Sequence, residues 1–91
     1  MKVTEYVDVI NCNIQLTYYH NRSIQWCARF EEVEVKERKG SPELLSEWGS
    51  GPTPEAALQE YIDCIKGKLL VFRATGGDKR REFKVPMFLE V

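Results

Sequence analysis

The strongest constraint on the fold of this chain is a helix start that lies just past its midpoint. Residues 49–55 read Gly-Ser-Gly-Pro-Thr-Pro-Glu. Thr53 suits an N-cap, Pro54 the first helical position and Glu55 the positive end of the helix dipole. The apolar residues that follow recur at helical spacing: Ala57, Leu58, Tyr61, Ile62 and Ile65. Because Gly67 is a good C-terminal stop, these signals predict a single amphipathic helix.

Elsewhere, the segments between turn signals contain alternating or clustered apolar residues that are typical of strands. Four strands are predicted before the helix, over residues 3–10, 14–19, 24–35 and 44–48. Within the third strand the apolar positions change from even to odd numbers between Glu31 and Glu32, which predicts a β-bulge or a bend.

Two more strands are predicted after the helix, over residues 68–74 and 81–85. A turn at residues 75–78 joins them into a hairpin, and Pro86 ends the ladder because it has no amide hydrogen to donate. Four of the last five residues are apolar, more than is usual at a terminus, so this tail either docks on the core or forms a contact surface.

These elements predict an α+β fold in one domain over residues 1–91. We expect an antiparallel sheet of about five to six strands packed on one helix, in the order β-β-β-(β)-α-β-β. The chain is 43% hydrophobic and 30% charged, which is ordinary for a globular protein. It contains no apolar run long enough to cross a membrane and no signal-peptide pattern, so a cytoplasmic location is expected.

Candidate catalytic and metal-binding residues are few. Cys12, Cys27 and Cys64 are widely spaced and predict neither a disulfide framework nor a zinc site. A nucleophilic Cys-His pair would require His20 beside a thiol, but a hairpin at residues 21–23 does not obviously place it near Cys27. We therefore expect no enzyme activity, no cofactor and no metal.

Two further segments have a structural and a functional interpretation. The glycine-rich approach to the helix could bind an anion, but two prolines remove amides that such a site would use, so a capped turn is favoured. The acidic residues Glu31, Glu32, Glu34 and Glu37 could supply metal ligands, yet such a run is more typical of a solvated strand face.

Charge is distributed unevenly along the chain, although its net value is only −1. Residues 31–60 hold eight acids against three bases, and residues 61–91 hold seven bases against four acids. The densest basic set lies on the predicted hairpin 73–84 and consists of Arg73, Lys79, Arg80, Arg81 and Lys84. We predict that these residues bind a partner, either an acidic protein surface or a nucleic acid.

Aromatic residues provide a second candidate surface. Tyr6, Tyr18, Tyr19 and Trp26 lie on the first three predicted strands. Those that face away from the helix are the better candidates for partner contact.

The order of three strands, the stretch Gly-Ser-Gly-Pro-Thr-Pro-Glu-Ala-Ala-Leu at a helix start, and a following strand resembles the partial ribonuclease-H-like fold of HicB antitoxins. The resemblance covers about residues 24–72. Residues 67–74, which read Gly-Lys-Leu-Leu-Val-Phe-Arg-Ala, also look like small accessory proteins of bacteriophages and bacteria. The resemblance implies a prokaryotic or viral accessory protein in the cytoplasm of a bacterium or infected cell.

The sequence therefore predicts a noncatalytic module that acts by protein contact, for example as an inhibitor of a host enzyme or defence complex. A nucleic-acid-binding or antitoxin-like protein that uses the hairpin 73–84 is the alternative. A homodimer is possible, and no membrane partner is expected.

Overall fold

The computed structural model describes residues 1–20, 23, 25–73 and 79–91, which contain two helices and six strands. These are α1 (Val3–Val9), β1 (Ile14–Tyr18), β2 (Trp26–Phe30), β3 (Val33–Lys36), β4 (Gly49–Gly51), α2 (Pro54–Ile65), β5 (Leu69–Phe72) and β6 (Arg81–Lys84). The predicted α+β class is confirmed. The predicted turns at residues 21–23 and 75–78, and the ends of two predicted strands at residues 24 and 74, lie wholly or partly outside the described residues.

The strands form two antiparallel three-stranded sheets rather than the single sheet that the sequence predicts. The first sheet has the order β1-β2-β4 and the second has the order β3-β5-β6. The split occurs at the predicted change of parity, where Glu32 adopts a left-handed backbone conformation with φ of 58°. This turn separates β2 from β3, so one predicted strand becomes two strands in different sheets.

Helix α2 forms as predicted. The Thr53 hydroxyl accepts a hydrogen bond of 3.1 Å from the Ala56 amide, and Pro54 occupies the first turn. Each residue of the predicted stripe is buried: Ala57, Leu58, Tyr61, Ile62 and Ile65. Gly67 follows the helix with φ of 74°, the left-handed conformation that a glycine adopts without a side-chain clash.

The first predicted strand is wrong, because residues 3–9 form helix α1. Val3, Tyr6, Val7 and Ile10 are buried at the spacing i, i+3, i+4, i+7, which places them on one side of a helix. The competing alternation of Val3, Val7 and Val9 would bury Val9, whose side chain is 73% exposed.

The fourth predicted strand, over residues 44–48, is also displaced. Leu45 makes only an isolated antiparallel bridge to Val35, and the ladder with β2 is formed instead by β4 at Gly49–Gly51. A Cβ atom added at Gly49 would clash with the Ala57 carbonyl oxygen and the Tyr61 amide nitrogen and would lie 2.8 Å from the Tyr61 Cα. The glycine therefore allows α2 to pack directly on the backbone of β4.

Strands β5 and β6 pair antiparallel as predicted, with Leu70 opposite Phe83. The tail docks through Leu89, which is buried, while Met87 and Phe88 remain exposed. Backbone hydrogen bonds from the Val3 amide to the Glu90 carbonyl (2.7 Å) and from the Glu90 amide to the Met1 carbonyl (3.1 Å) tie the two ends of the chain together.

The core lies where both helices meet the sheets. The Phe30 ring of β2 packs edge-on against Tyr61 of α2 at a centroid distance of 5.1 Å, and Tyr6 of α1 lies 6.5 Å from Phe30 on another side. Neither helix in the described ranges has the length and apolar character required to cross a membrane.

We expect the substitution Thr53→Ala to lower the free energy of unfolding by about 1 kcal/mol, because the Ala56 amide loses its acceptor. Chemical denaturation measures the change, and Thr53→Ser, which keeps the hydroxyl, serves as the control. An unchanged midpoint for Thr53→Ala would show that the cap contributes nothing.

We expect Gly49→Ala to lower the free energy of unfolding by ~2 kcal/mol or more, because its methyl group would overlap the backbone of α2. The adjacent Ser50→Ala is the matched control and should change it by less than ~0.5 kcal/mol. Equal effects of the two substitutions in thermal or chemical denaturation would contradict the close packing of α2 on β4.

Candidate protein-binding site

The outer face of the first sheet is open to solvent. Alternation along β2 directs Ala28 and Phe30 toward α2, where both are buried, and directs Cys27 and Arg29 to the opposite face. In the adjacent strand, Thr17 lies opposite Cys27 in the ladder and occupies the same outer face. No helix packs against this outer face within the described part of the chain, since α2 covers β2 and β4 from the inner side.

Trp48 and Tyr19 are the aromatic residues on this outer face. Trp48 directly precedes β4, and its side chain is 58% exposed. Together with Tyr19, Cys27 and Arg29 it lines an open depression of about 330 Å³. An exposed tryptophan beside an arginine is a typical anchor of protein interfaces.

Arg29 joins this depression to a second one of about 290 Å³, which extends to Glu32 and Arg73. Glu32 and Arg73 in turn line a third depression of about 210 Å³ that also includes Arg81. The three depressions therefore share residues and follow one another along the surface. We call this surface the arginine groove: it contains Arg29, Arg73 and Arg81, with Trp48 and Tyr19 at one end.

The position of Arg29 in the groove is held by backbone carbonyls. Its Nε atom donates to the Phe30 carbonyl and its Nη2 atom donates to the Val33 carbonyl, both at 3.5 Å. These bonds cross the turn between β2 and β3 and leave the guanidinium bordering both the first and the second depression.

Every described non-glycine residue with a left-handed backbone conformation lines the third depression. Asn11, Glu32 and Arg73 have φ of 55°, 58° and 52°, and all three line it. Asn11 follows α1, where asparagine is a common substitute for glycine. Glutamate and arginine are costlier in this conformation, and such residues occur preferentially at ligand-binding surfaces.

The predicted basic site does not form a single patch. Arg80 pairs with Glu82 at 3.0 Å, and Lys36 approaches the same Glu82 oxygen at 3.4 Å. Desolvation would raise the pKa of Glu82, but hydrogen bonds from Arg80 and Lys36 outweigh it and hold this pKa below its ordinary value. Part of the positive charge of the hairpin is therefore balanced within the protein.

The other members of the predicted basic site have different surroundings. Arg73 and Arg81 line the groove, where Glu31 and Glu32 also lie. The Arg81 guanidinium carbon lies 5.1 Å from the Phe72 ring centroid. Lys79 and Lys84 are exposed and line none of the three depressions.

The predicted aromatic surface is divided between two faces and the core. Tyr6 is buried on α1, and its hydroxyl donates to the Lys84 carbonyl at 3.1 Å. Burial, together with the charge of Cys12, raises the pKa of Tyr6 to about 12. Tyr18 lies on the inner face beside Trp26, at 5.1 Å between ring centroids, whereas Tyr19 lies in the arginine groove.

The structure separates His20 from Cys27. The His20 ring packs edge-on against Tyr18 at 5.4 Å, on the inner side of the sheet, while Cys27 faces outward. Burial raises the pKa of Cys12 and also that of Cys64. The raised pKa values disfavour the nucleophilic thiolate form of both residues. Among the described residues no three His, Cys, Asp or Glu side chains converge as metal ligands.

Sequence reasoning missed Trp48 and Arg29. Trp48 ends the strand predicted over residues 44–48 and Arg29 lies within the strand predicted over residues 24–35, but the sequence alone does not show which face either side chain occupies. Their common face follows from two facts: Gly49 must face α2, and Ala28 pairs with Gly49 in the ladder. Trp48 precedes Gly49 and Arg29 follows Ala28, so the side chains of both face outward.

Comparison with protein-family models, with curated proteins and with solved structures finds no match to this chain. The resemblance to HicB antitoxins and to phage and bacterial accessory proteins therefore stays a prediction.

Proposed function

We propose that this protein is a noncatalytic binding module that acts by protein contact, and that its partner docks on the arginine groove. The observation that carries the proposal is the exposure of Trp48 beside Arg29 at the end of three linked depressions. Tryptophan, tyrosine and arginine are the residue types that most often dominate the binding free energy of protein interfaces.

The shape of the groove supports an extended contact rather than a small-molecule pocket. Its three depressions are open, and together they reach from Trp48 to Arg81. Small ligands bind in enclosed, mostly apolar cavities that bury most of their surface. A partner segment that crosses the three depressions would meet an aromatic anchor and three guanidinium groups.

The charges along the groove favour a protein over a nucleic acid. Arg73 and Arg81 lie beside Glu31 and Glu32, and Arg80 is paired with Glu82. A phosphate backbone is bound best by a continuous positive field. Alternating charges instead suit a protein surface that can place opposite charges at matching positions.

The proposal extends to an inhibitor of phage or bacterial origin that covers a surface of a host enzyme or defence complex. Its support is the residue pattern that resembles phage and bacterial accessory proteins, together with the exposed Trp48. The antitoxin-like alternative would instead require nucleic-acid binding by the hairpin 73–84.

Copurification from the native host with tagged wild-type protein tests the contact surface. We expect a protein to be recovered, and Trp48→Ser to reduce its recovery by about tenfold or more, as for a dominant interface residue. Phe88→Ser is the matched control, because Phe88 is also exposed, at 69%, but lines none of the three depressions. Loss of the partner in the control but not in Trp48→Ser would refute the assigned surface.

Reversal of Lys79, Arg80 and Arg81 to Glu separates protein binding from nucleic-acid binding. We expect the wild-type protein to show no appreciable affinity for DNA or RNA near physiological salt in a fluorescence-anisotropy titration. The paired variant Arg38→Glu and Lys39→Glu, in the exposed loop after β3, shows the effect of charge reversal away from the hairpin. Micromolar, salt-sensitive binding that only the triple reversal abolishes would favour the antitoxin-like alternative.

A further inference from the structure

Strand β1 is the least protected edge of the two sheets. Exposed sheet edges are usually shielded by charged residues, prolines, shortness or a covering segment. Of the other described edges, β4 is three residues long, β3 is bridged by Leu45, and β6 has charged residues at three of its four positions. Strand β1, with the sequence Ile-Gln-Leu-Thr-Tyr, contains no charge, glycine or proline.

The hydrogen-bonding pattern of the ladder shows which backbone groups of β1 face outward. The Glu31 amide donates to the Asn13 carbonyl at 2.9 Å, and the Tyr19 amide donates to the Gln25 carbonyl at 2.7 Å. Odd-numbered residues therefore bond to β2. Because the direction alternates along an antiparallel strand, Ile14, Leu16 and Tyr18 point their amides and carbonyls away from the sheet.

The side chains of these outward-bonding residues are also partly uncovered. Leu16 is 44% and Tyr18 is 47% exposed, although they lie on the same face as the buried Ala28 and Phe30. Helix α2 packs mainly over β2 and β4 and covers little of β1. Within the described part of the chain no backbone group bonds to these three residues, so the edge offers both unpaired backbone groups and apolar surface.

The charge around this edge identifies the kind of strand that would complete it. Residues 9–21 contain no Asp, Glu, Lys or Arg, in a chain of which 30% is charged. A partner strand finds no opposite charge on β1 itself, so a charged strand would lose hydration without compensation from β1. An uncharged strand with apolar residues at alternate positions fits, and β1 itself is such a strand.

We propose that the chain forms a symmetric homodimer in which β1 pairs antiparallel with the β1 of a second copy. Leu16 then faces Leu16 of the partner subunit across the two-fold axis, and Ile14 faces Tyr18 of the partner subunit. This register matches the three outward-bonding residues of each copy with one another. The isologous contact is self-complementary and closed, as two-fold interfaces require.

The dimer is weak because the contact is small. Two five-residue strands and their apolar side chains bury less than the ~1,200 Å² that stable interfaces bury. The dimer is therefore concentration-dependent, with a dissociation constant in the micromolar range or above.

Dimerisation through β1 would place two arginine grooves on one side of a continuous six-stranded sheet. The two-fold axis is perpendicular to the sheet, so both outer faces point in the same direction. Five strand spacings separate the two β4 strands, which sets their Trp48 residues roughly 24 Å apart. A symmetric partner could then be bound at two points with increased avidity.

Sedimentation equilibrium of the wild-type protein across roughly 5 to 500 µM, a range that spans such dissociation constants, tests the dimer. We expect a concentration-dependent shift from the mass of one chain to that of two. We expect Leu16→Lys and Leu16→Glu each to weaken dimerisation by about tenfold or more, because like charges would face each other across the axis. Phe88→Lys is the control, since Phe88 is 69% exposed, lies outside β1 and should leave the dimer intact.

Mixing Leu16→Lys with Leu16→Glu tests the register. We expect the mixture to recover dimer that neither variant forms alone, because opposite charges then meet at the axis. A wild-type protein that stays monomeric over the whole range, or a dimer that Leu16→Lys leaves unchanged, would overturn the proposal. Neither result would bear on the arginine groove, since Leu16 lines none of its depressions.

Discussion

The close packing of α2 on the backbone of β4 is the contact on which the rest of the structure depends. Gly49 allows it, because any side chain there would occupy the space of Ala57 and Tyr61. The same contact fixes the direction of every alternating residue in the first sheet. Once Gly49, Ala28 and Phe30 face the helix, Trp48, Cys27 and Arg29 must face solvent.

The turn at Glu31 and Glu32 is the second constraint, since it creates the groove. A continuous strand over residues 24–35 would have kept β2 and β3 in one sheet, whereas the structure places them in two. The left-handed Glu32 ends β2 and sends β3 into a second sheet, and Arg29 bonds to carbonyls on both sides of this turn. The depressions that hold Arg73 and Arg81 lie at this junction.

Local signals in the sequence predicted correctly those elements whose residue pattern fits only one type of secondary structure. Helix α2 was predicted with its cap, its stripe and its stop, because Thr53, Pro54 and Gly67 each have a specific role at a helix end. Helix α1 was missed because Val3 and Val7 fit a helical pattern with Tyr6 and Ile10 but also fit a strand pattern with Val9. Burial of Tyr6 and Ile10 decides between the two patterns, and burial depends on tertiary contacts.

The candidate site was only partly accessible from the sequence for the same reason. Arg73 and Arg81 were identified from their density in the chain, but their acidic neighbours Glu31 and Glu32 come from a distant turn. The exposure of Trp48 depends on the position of β4, which sequence periodicity predicted at residues 44–48 and which lies at Gly49–Gly51. The separation of Tyr18 from Tyr19 likewise required knowledge of which face α2 covers.

Photo-cross-linking in the native host tests the central claim, that partners dock on the arginine groove, most directly. A photoreactive phenylalanine analogue is placed at Trp48, and in a second variant at Phe88, which has comparable exposure outside the groove. The account predicts a discrete protein adduct from position 48 and none from position 88. A protein adduct only from position 88, or an adduct at position 48 that nuclease treatment removes, would contradict it.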